Sequence, residues 1–162
     1  MMVRFDVDEL KENMNQTAAG FSKALEDLAG FFEDRFGQVV RKTTLDLFAN
    51  IVKRSPVDTG TYRASHGIAN HEPEGEEGVI KISKEKKDPS GATKMAMDKA
   101  RAWYWYPGAG TIYIFNNVPY AEPLEVGHSG QAPQGVYRQA LTEVEAIMNK
   151  QIIALRVGRF FK

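Results

Sequence analysis

The stretch Lys53-Arg54-Ser55-Pro56-Val57-Asp58-Thr59-Gly60 marks the point at which the pattern of the sequence changes. Proline disfavours the α region for the residue before it, so a helix that reaches Ser55 is expected to end there. Asp58 and Gly60, which favour turns, follow directly. The boundary at Pro56 therefore predicts a helical first part over residues 1–54 and a different architecture after it.

Before this boundary, apolar residues recur at the spacing of an α-helix. Intervals of three and four recur along two series of mostly apolar residues, one before Gly37 and one after it: Leu10, Met14, Thr17, Phe21, Ala24, Leu25, Leu28, Phe31 and Phe32, then Val40, Thr44, Leu47, Phe48 and Ile51. This spacing places apolar side chains along one face and predicts a long amphipathic helix. Gly37 has a low helix propensity, so we expect a kink or a split into two helices near it.

After the boundary, residues 56–130 have the pattern of short strands joined by loops. Strands are predicted over 62–69, over 79–84, where apolar and polar residues alternate, and over 111–116. The segment 119–127 holds two prolines and is predicted to be a short edge segment of the sheet.

The last part of the sequence returns to a helical period. Apolar residues from Val136 to Leu155 follow a 3.6-residue repeat, and Pro133 suits a first helical turn, so a C-terminal helix is predicted over 133–156. Helices separated from strands in this way are typical of the α+β class. We expect one domain over 1–162, with the long N-terminal and C-terminal helices packed on one face of a small, mostly antiparallel sheet.

A long connection is predicted between the second and third strands, over residues 85–110. Its length of about 26 residues exceeds that of an ordinary connection, and such loops are often binding segments. Tryptophan and tyrosine favour interfaces, and both tryptophans of the chain lie here. The predicted contacts with a partner subunit are Lys86, Lys87, Trp103, Tyr104, Trp105 and Tyr106. The alternative is a hairpin whose aromatic residues cover the sheet.

The composition narrows the functional classes. Lys plus Arg and Asp plus Glu number 21 each, so no overall positive field favours nucleic acid. Cysteine is absent, which excludes disulfides and thiolate sites. The first ten residues lack the apolar core of a signal peptide, and no apolar run is long enough for a membrane span. We therefore expect a protein that is made in the cytoplasm and has no membrane partner.

The charges are unevenly distributed along the chain. Residues 1–40 hold eight acidic and four basic residues, whereas 150–162 hold four basic residues and no acidic one. Opposite charges on different faces can steer identical copies into the head-to-tail contacts that close rings. The alternative is that both are simply solvated helix faces.

The sequence contains no motif for nucleotide binding, zinc peptidase activity or a serine nucleophile elbow. His66, His71 and His128 lack the surrounding pattern of a zinc site. Glu122 and Glu125 form a carboxylate pair without further signs of a sugar cleft. We expect no catalytic residue, no metal and no cofactor.

Two segments resemble a known family. One is Ser55-Pro56-Val57-Asp58-Thr59-Gly60-Thr61-Tyr62-Arg63-Ala64-Ser65; the other is Asn117-Val118-Pro119-Tyr120-Ala121-Glu122-Pro123-Leu124-Glu125-Val126-Gly127-His128, followed by Gln131-Ala132-Pro133. They are similar to the motifs P-V-D-T-G-x-[LY]-R-x-S and P-Y-A-x-x-[LV]-E-x-G of the small tail-component proteins of long-tailed bacteriophages, described as tail-completion, neck or head–tail joining proteins. The motif residues are Pro56, Asp58, Gly60, Arg63, Pro119, Tyr120, Glu125 and Gly127. The resemblance covers roughly residues 40–150 and departs from the family in the long loop.

The resemblance implies a structural virion protein, made in the host cytoplasm, that forms a ring at the head–tail junction. It implies a hexamer or dodecamer that joins the tail tube to the capsid connector, next to connector, terminator or tail-tube proteins, with DNA passing through the lumen. One alternative is a tail terminator or head-closure protein of the same junction. An alternative of another class is a nucleic-acid-binding accessory protein, based on the lysines of 84–87 and the rings of 103–106.

The motif residues also have a direct physical interpretation. The Asp58 carboxylate is placed to accept hydrogen bonds from the following amides and so to fix the turn at Gly60. Arg63 then has a rigid base from which to reach a carboxylate, and we predict Glu125 as its partner. Pro119 restricts the second motif to an extended backbone.

Overall fold

A computed structural model describes residues 7–86, 88–106, 108 and 110–157 of the chain. The described residues form six α-helices and one two-stranded antiparallel sheet, which confirms the α+β class. The elements are α1 Val7–Arg54, α2 Thr61–Ala64, β1 Gly67–Ala69, a 3₁₀ turn Lys84–Lys86, α3 Pro89–Ala102, β2 Tyr113–Phe115, α4 Ala121–Glu125, α5 Tyr137–Leu141 and α6 Val144–Val157. Within the described residues, no helix combines the length and the apolar character that a membrane crossing requires.

The chain divides into two compact units between Phe36 and Gly37. The described part of the first unit is the helical segment 7–36, in which the Leu25 side chain is exposed. α1 is a single helix from Val7 to Arg54, so the predicted split at Gly37 is wrong, while the kink stays a prediction. Glycine costs a helix interior only about 1 kcal/mol relative to alanine and removes no hydrogen bond, so a long helix tolerates it.

The second unit, which begins at Gly37, is built around the last turns of α1. Leu47 and Ile51 belong to one buried cluster, together with Tyr62, Val118, Ala132, Val136 and Ala140. Phe48 and Val52 belong to another, together with Ala96 and Ala100 of α3. Ile114 of β2 packs against both clusters. α1 therefore buries two adjacent faces, one towards the C-terminal helices and one towards α3.

The strand predictions are correct only in part. β2 lies inside the predicted segment 111–116 and pairs with β1, with Ile68 opposite Ile114. The segment 62–69 is instead the short helix α2 followed by β1. No strand forms over 79–84. The backbone N–H groups of Ile80 and Ile82 donate to the hydroxyls of Ser65 (2.9 Å) and Thr61 (3.0 Å), so side chains take the place of a neighbouring strand.

The predicted loop 85–110 contains the fourteen-residue helix α3, so that prediction is wrong. Asp88 caps the helix by accepting a hydrogen bond from the Gly91 N–H (2.8 Å), and Pro89 occupies the first turn, where its missing N–H costs nothing. The buried face consists of Ala92, Ala96 and Ala100. Alanine gives a weak apolar signal in a sequence, although its spacing of four is helical.

The predictions for residues 119–127 and 133–156 also differ from the structure. The segment predicted as a sheet edge over 119–127 contains the helix α4, since Pro123 lies in the first turn, where N–H groups have no intrahelical acceptor. The helix predicted over 133–156 is two helices, α5 and α6, and Pro133 precedes both. Thr142 and Glu143 separate them.

Candidate functional site: a groove between the two motif segments

The two segments that carry the resemblance meet at one groove. Its volume is about 550 Å³, and its walls include Pro56, Thr59, Tyr62, Ile82, Tyr120 and Leu124. Lys81 and Lys84 lie at its rim and are exposed. Segments that are some sixty residues apart in the sequence thus form a single surface feature.

Gln131 connects the two segments through hydrogen bonds to Val57. Its side-chain Oε1 accepts a hydrogen bond from the Val57 N–H (2.9 Å), and its Nε2 donates to the Val57 carbonyl (3.2 Å). A side-chain amide that satisfies both polar groups of one residue acts like a strand neighbour. This pair holds the first motif against the residues that follow the second.

Gly60 is required by the close packing of the first motif. Its φ of 103° lies in the left-handed region, which a side chain disfavours. A Cβ at this position would be 2.9 Å from the Ala92 Cβ of α3. The Thr59 hydroxyl accepts from the Thr61 N–H (3.2 Å) at the start of α2, and Asp58 is exposed at the groove. The motif glycine therefore lets the turn lie directly on α3.

Arg63 stabilises the end of α1. Its Nη2 donates to the Ser55 carbonyl (2.6 Å), and its Nη1 to the Thr93 hydroxyl (3.5 Å). Burial lowers the pKa of the Arg63 guanidinium. The predicted pairing of Arg63 with Glu125 is wrong, because the Glu125 carboxylate accepts bonds from a different part of the chain.

Glu125 caps α5 from a distance in the sequence. One carboxylate oxygen accepts from the N–H groups of Val136 (2.9 Å) and Tyr137 (3.0 Å), and the other from the N–H of Arg138 (2.7 Å). The first turn of a helix leaves such groups without an internal acceptor, and a carboxylate supplies one together with a favourable charge. The glutamate of the second motif is thus a structural cap.

Gly127 belongs to the same arrangement. Its φ is 94°, and a Cβ here would be 2.5 Å from the Pro133 carbonyl oxygen. Gly135 has a φ of 79°, and its Cβ would be 2.5 Å from the Glu125 carbonyl oxygen. The two glycines let the backbone that precedes α5 lie close to the end of α4, which the three bonds to Glu125 require. Pro119 and Tyr120, the other residues of this motif, are exposed.

A buried polar network lies behind the groove. The rings of Tyr62 and His66 pack in a T-shaped arrangement, with their centroids 5.0 Å apart. His66 is fully buried; its Nε2 is 2.6 Å from Ser55 Oγ, and its Nδ1 is 2.8 Å from Tyr137 Oη. Because Ser55 Oγ donates to the Ile51 carbonyl (2.8 Å), it accepts from Nε2–H. Nδ1 is then free to accept from the tyrosine hydroxyl.

This network argues against a serine nucleophile. A catalytic base must accept the hydroxyl proton. Here the imidazole donates to the hydroxyl, and Ser55 and His66 are both buried. Burial, and then the charges of Lys99 and Arg63, lower the pKa of His66 to about 3. The histidine is a neutral core residue that connects the end of α1, β1 and α5.

No sequence pattern indicates the His66 network, because its partners are scattered along the chain. His71 lies instead beside Glu77, 3.0 Å from its carboxylate, and His128 is exposed. Among the residues that the structure describes, no group of three His, Cys, Asp or Glu side chains is arranged to hold a metal ion.

The aromatic segment predicted as an interface is divided between core and surface. Trp103 is only 8% exposed and donates from Nε1 to Asn70 Oδ1 (3.1 Å), so its assignment as an interface residue is wrong. Tyr104 is 69% exposed, and Tyr106 is also exposed. Trp105 is half-buried, and a Cβ at Gly37 would be 2.7 Å from its ring. The two tyrosines therefore remain the surface part of this segment.

The predicted basic contacts fall largely beyond the described part of the chain. Lys87 lies outside the described residues, as does the side chain of Lys86, whose backbone belongs to the 3₁₀ turn.

Comparison of the chain with protein-family models, curated proteins and solved structures finds no match.

Proposed function

We propose that this chain is a structural component of the head–tail junction of a long-tailed bacteriophage, and that it assembles in the virion as a ring between the tail tube and the capsid connector. The observation that carries the proposal is the meeting of the two motif segments at one groove. If the likeness to the tail-component family were accidental, nothing would require these distant segments to form one unit. Each motif residue that makes a defined contact also has a scaffold role, as expected of a family that is held together by its fold.

A structural role also fits the chemistry behind the groove. The serine–histidine pair has its proton on the wrong partner for nucleophilic catalysis and is shielded from solvent. Tyr62 is buried and Tyr137 is largely buried beside it, and burial raises the pKa of each hydroxyl above its ordinary value. Neither hydroxyl is therefore suited to proton transfer near neutral pH.

Ring contacts need exposed side chains with a large apolar area. Tyr104 and Tyr106 supply them on a segment that the Asn70 side chain holds through two hydrogen bonds. Its Oδ1 accepts from Trp103 Nε1, and its Nδ2 donates to the Tyr104 carbonyl (2.8 Å). A rigid backbone with exposed aromatic rings loses little entropy when it binds a partner. We assign these two tyrosines, rather than the whole segment 85–110, to the contact with a neighbouring subunit.

The test is the mass of the purified chain in solution, measured by light scattering over a range of concentrations, with images of any assembled particle. A closed ring of about six or twelve subunits supports the proposal. Tight binding of single-stranded DNA that weakens steeply with salt, by a chain that stays monomeric, would instead favour the accessory nucleic-acid-binding protein. Labelling of the subunit in intact particles separates a joining protein from a tail terminator or head-closure protein.

A further inference from the structure

An extended segment without a neighbouring strand lies along residues 79–83, which we call the open strand. Ile80 and Ile82 are half-buried, whereas Lys81 and Ser83 are exposed, and this alternation is that of a strand with one covered face. The sequence of the segment predicts a strand, yet the sheet that the described residues form contains only β1 and β2. The open strand therefore has the side-chain pattern of a strand but lacks its partner.

One side of the open strand is held by hydroxyl groups at the two ends of α2. Thr61 Oγ1 accepts a hydrogen bond from the Ile82 N–H (3.0 Å) and donates to the Ile82 carbonyl (3.2 Å). Ser65 Oγ accepts from the Ile80 N–H (2.9 Å), and the Ile80 carbonyl is 3.3 Å from the same oxygen. The backbone polar groups of both isoleucines are thus directed towards α2, and the segment is fixed in its extended form.

The other side of the open strand carries backbone groups that the domain does not use. Successive residues of an extended chain direct their N–H and carbonyl groups to opposite sides, so those of Lys81 point away from α2, as does the N–H of Ser83. Within the described part of the chain, these three groups have no hydrogen-bond partner. The Lys81 side chain lies 3.0 Å from the Glu76 carboxylate, so its charge is already matched. An incoming strand therefore meets no unmatched charge at this residue.

We propose that the open strand binds an extended segment of another protein, which adds to it as a neighbouring strand. Only an extended backbone offers donors and acceptors at the spacing of Lys81 and Ser83, because a helix pairs its own groups internally. Unpaired strand edges of this kind are the usual sites of such additions.

The groove between the two motif segments determines which side chains the added strand carries. Residues 81–84 form part of its wall, opposite Pro56, Tyr120 and Leu124. One face of a strand on this edge therefore lies beside the groove, where an apolar side chain is removed from water. The occupant is an extended segment with an apolar side chain at the groove.

A second copy of the chain is a poorer source of this strand. β1 and β2 already pair with each other, and Ile114 of β2 packs against both buried clusters. Two open strands paired antiparallel about their centres would place Lys81 directly opposite Lys81, and like charges in that position are destabilising. We therefore assign the occupant to a different protein. The inference goes beyond the proposed ring, since it concerns another partner and holds whether or not the ring forms.

Amide hydrogen exchange, measured by NMR on the full chain, tests the open strand. Without a partner, the N–H groups of Lys81 and Ser83 are expected to exchange as exposed amides, and those of Ile80 and Ile82 more slowly. The probe is the peptide acetyl-Thr-Val-Thr-Phe-Thr-Val-Thr-amide, whose apolar side chains share one face of a strand. At about ten times its Kd, exchange at Lys81 and Ser83 should slow by about tenfold, because only the unbound fraction exchanges. Unchanged exchange at both amides, up to the solubility limit of the peptide, overturns the inference.

Two methylated forms of the peptide distinguish strand addition from simple filling of the groove. Methylation of the backbone nitrogens of valine and phenylalanine removes the donors along one edge of the peptide, and methylation of the threonine nitrogens removes those along the other. Because a strand pairs through one edge, one form is expected to lose the protection and the other to keep it. If both forms still bind, the peptide is held by its side chains alone and the inference is wrong; if neither binds, pairing through a single edge is contradicted.

Lys81→Pro removes one N–H of the open strand without breaking a hydrogen bond of the domain. It is expected to melt like Lys81→Ala, since the exposed pair with Glu76 contributes little, and to lose the protection at Ser83 that Lys81→Ala keeps. If Lys81→Pro does not fold, the methylated peptides still decide. Light scattering without peptide tests the source: a lower mass for Lys81→Pro than for Lys81→Ala would show that the open strand pairs with a second copy, which overturns the assignment to another protein.

Discussion

Replacing Glu125 by alanine removes the acceptor of three backbone N–H groups at the start of α5. Val136 is fully buried, and Tyr137 is largely so, which means that water does not readily replace the carboxylate at their N–H groups. A buried donor without a partner costs about 1–3 kcal/mol. Arg138 is exposed, so its N–H is hydrated at little cost. We therefore expect Glu125→Ala to lower the free energy of unfolding by about 2–4 kcal/mol, a large share of the roughly 5–15 kcal/mol of a typical domain.

Urea denaturation at neutral pH, followed by circular dichroism, measures this loss. The matched control is Glu122→Ala, which removes a carboxylate from the same helix at an exposed position and is expected to change the free energy of unfolding by less than about 0.5 kcal/mol. Glu125→Gln keeps one side-chain acceptor oxygen and is expected to fall between the two. If Glu125→Ala is no less stable than Glu122→Ala, the cap contributes nothing and the interpretation of the second motif is wrong.

The same variant decides between the cap and the ion pair that the sequence predicted. With Glu125 bound to the start of α5 and Arg63 bound to the Ser55 carbonyl, the two side chains share no interaction. Arg63→Ala and Glu125→Ala are therefore expected to have additive effects, within about 0.5 kcal/mol, in a double-mutant cycle. A coupling well above that limit would restore the ion pair.

Three further expectations concern the core, the turn and the surface. Since burial lowers the pKa of His66 to about 3, the unfolded chain binds more protons than the folded chain below pH 6.5. The contribution of His66 to the free energy of unfolding is therefore complete above that pH and falls by up to about 1.4 kcal/mol per pH unit towards pH 3. Urea melts of His66→Gln should lack this slope, and an equal slope would show that the folded protein does not bury a neutral histidine. Gly127→Ala should lower the free energy of unfolding by about 1–3 kcal/mol in the same melts, because Gly127 has a positive φ and a Cβ there would meet the Pro133 carbonyl. Gly130→Ala, which has open space around its Cβ, should leave the free energy of unfolding nearly unchanged. Equal losses in the two variants would contradict the steric argument. Tyr104→Ser with Tyr106→Ser should leave the melting curve unchanged but reduce the mass of the assembly, and an unaltered mass removes these residues from the interface.

The parts of the fold that the sequence predicted correctly depend on local or strongly periodic signals. The helix before Ser55 follows from large apolar residues that recur at helical spacing and from the proline that ends it. β2 follows from a compact cluster of β-branched and aromatic residues. α3 was missed because its buried face consists of alanines, whose burial depends on the close approach of another helix. The strand over 79–84 was predicted wrongly because an alternating pattern says which side chains are buried, but not whether a second strand lies beside them.

For the candidate groove, the sequence by itself identified the two segments that form it and the turns within them, since turn residues, proline and glycine act over a few neighbouring residues. Only the tertiary structure decided the partners. Glu125 caps α5 rather than binding Arg63, and His66 joins Ser55 to Tyr137. Hydrogen-bond partners far apart in the chain are selected by how the helices pack around Ile51 and Phe48, and that packing depends on many residues at once. A charge or a histidine in a sequence therefore gives its chemistry, whereas the fold decides what it contacts.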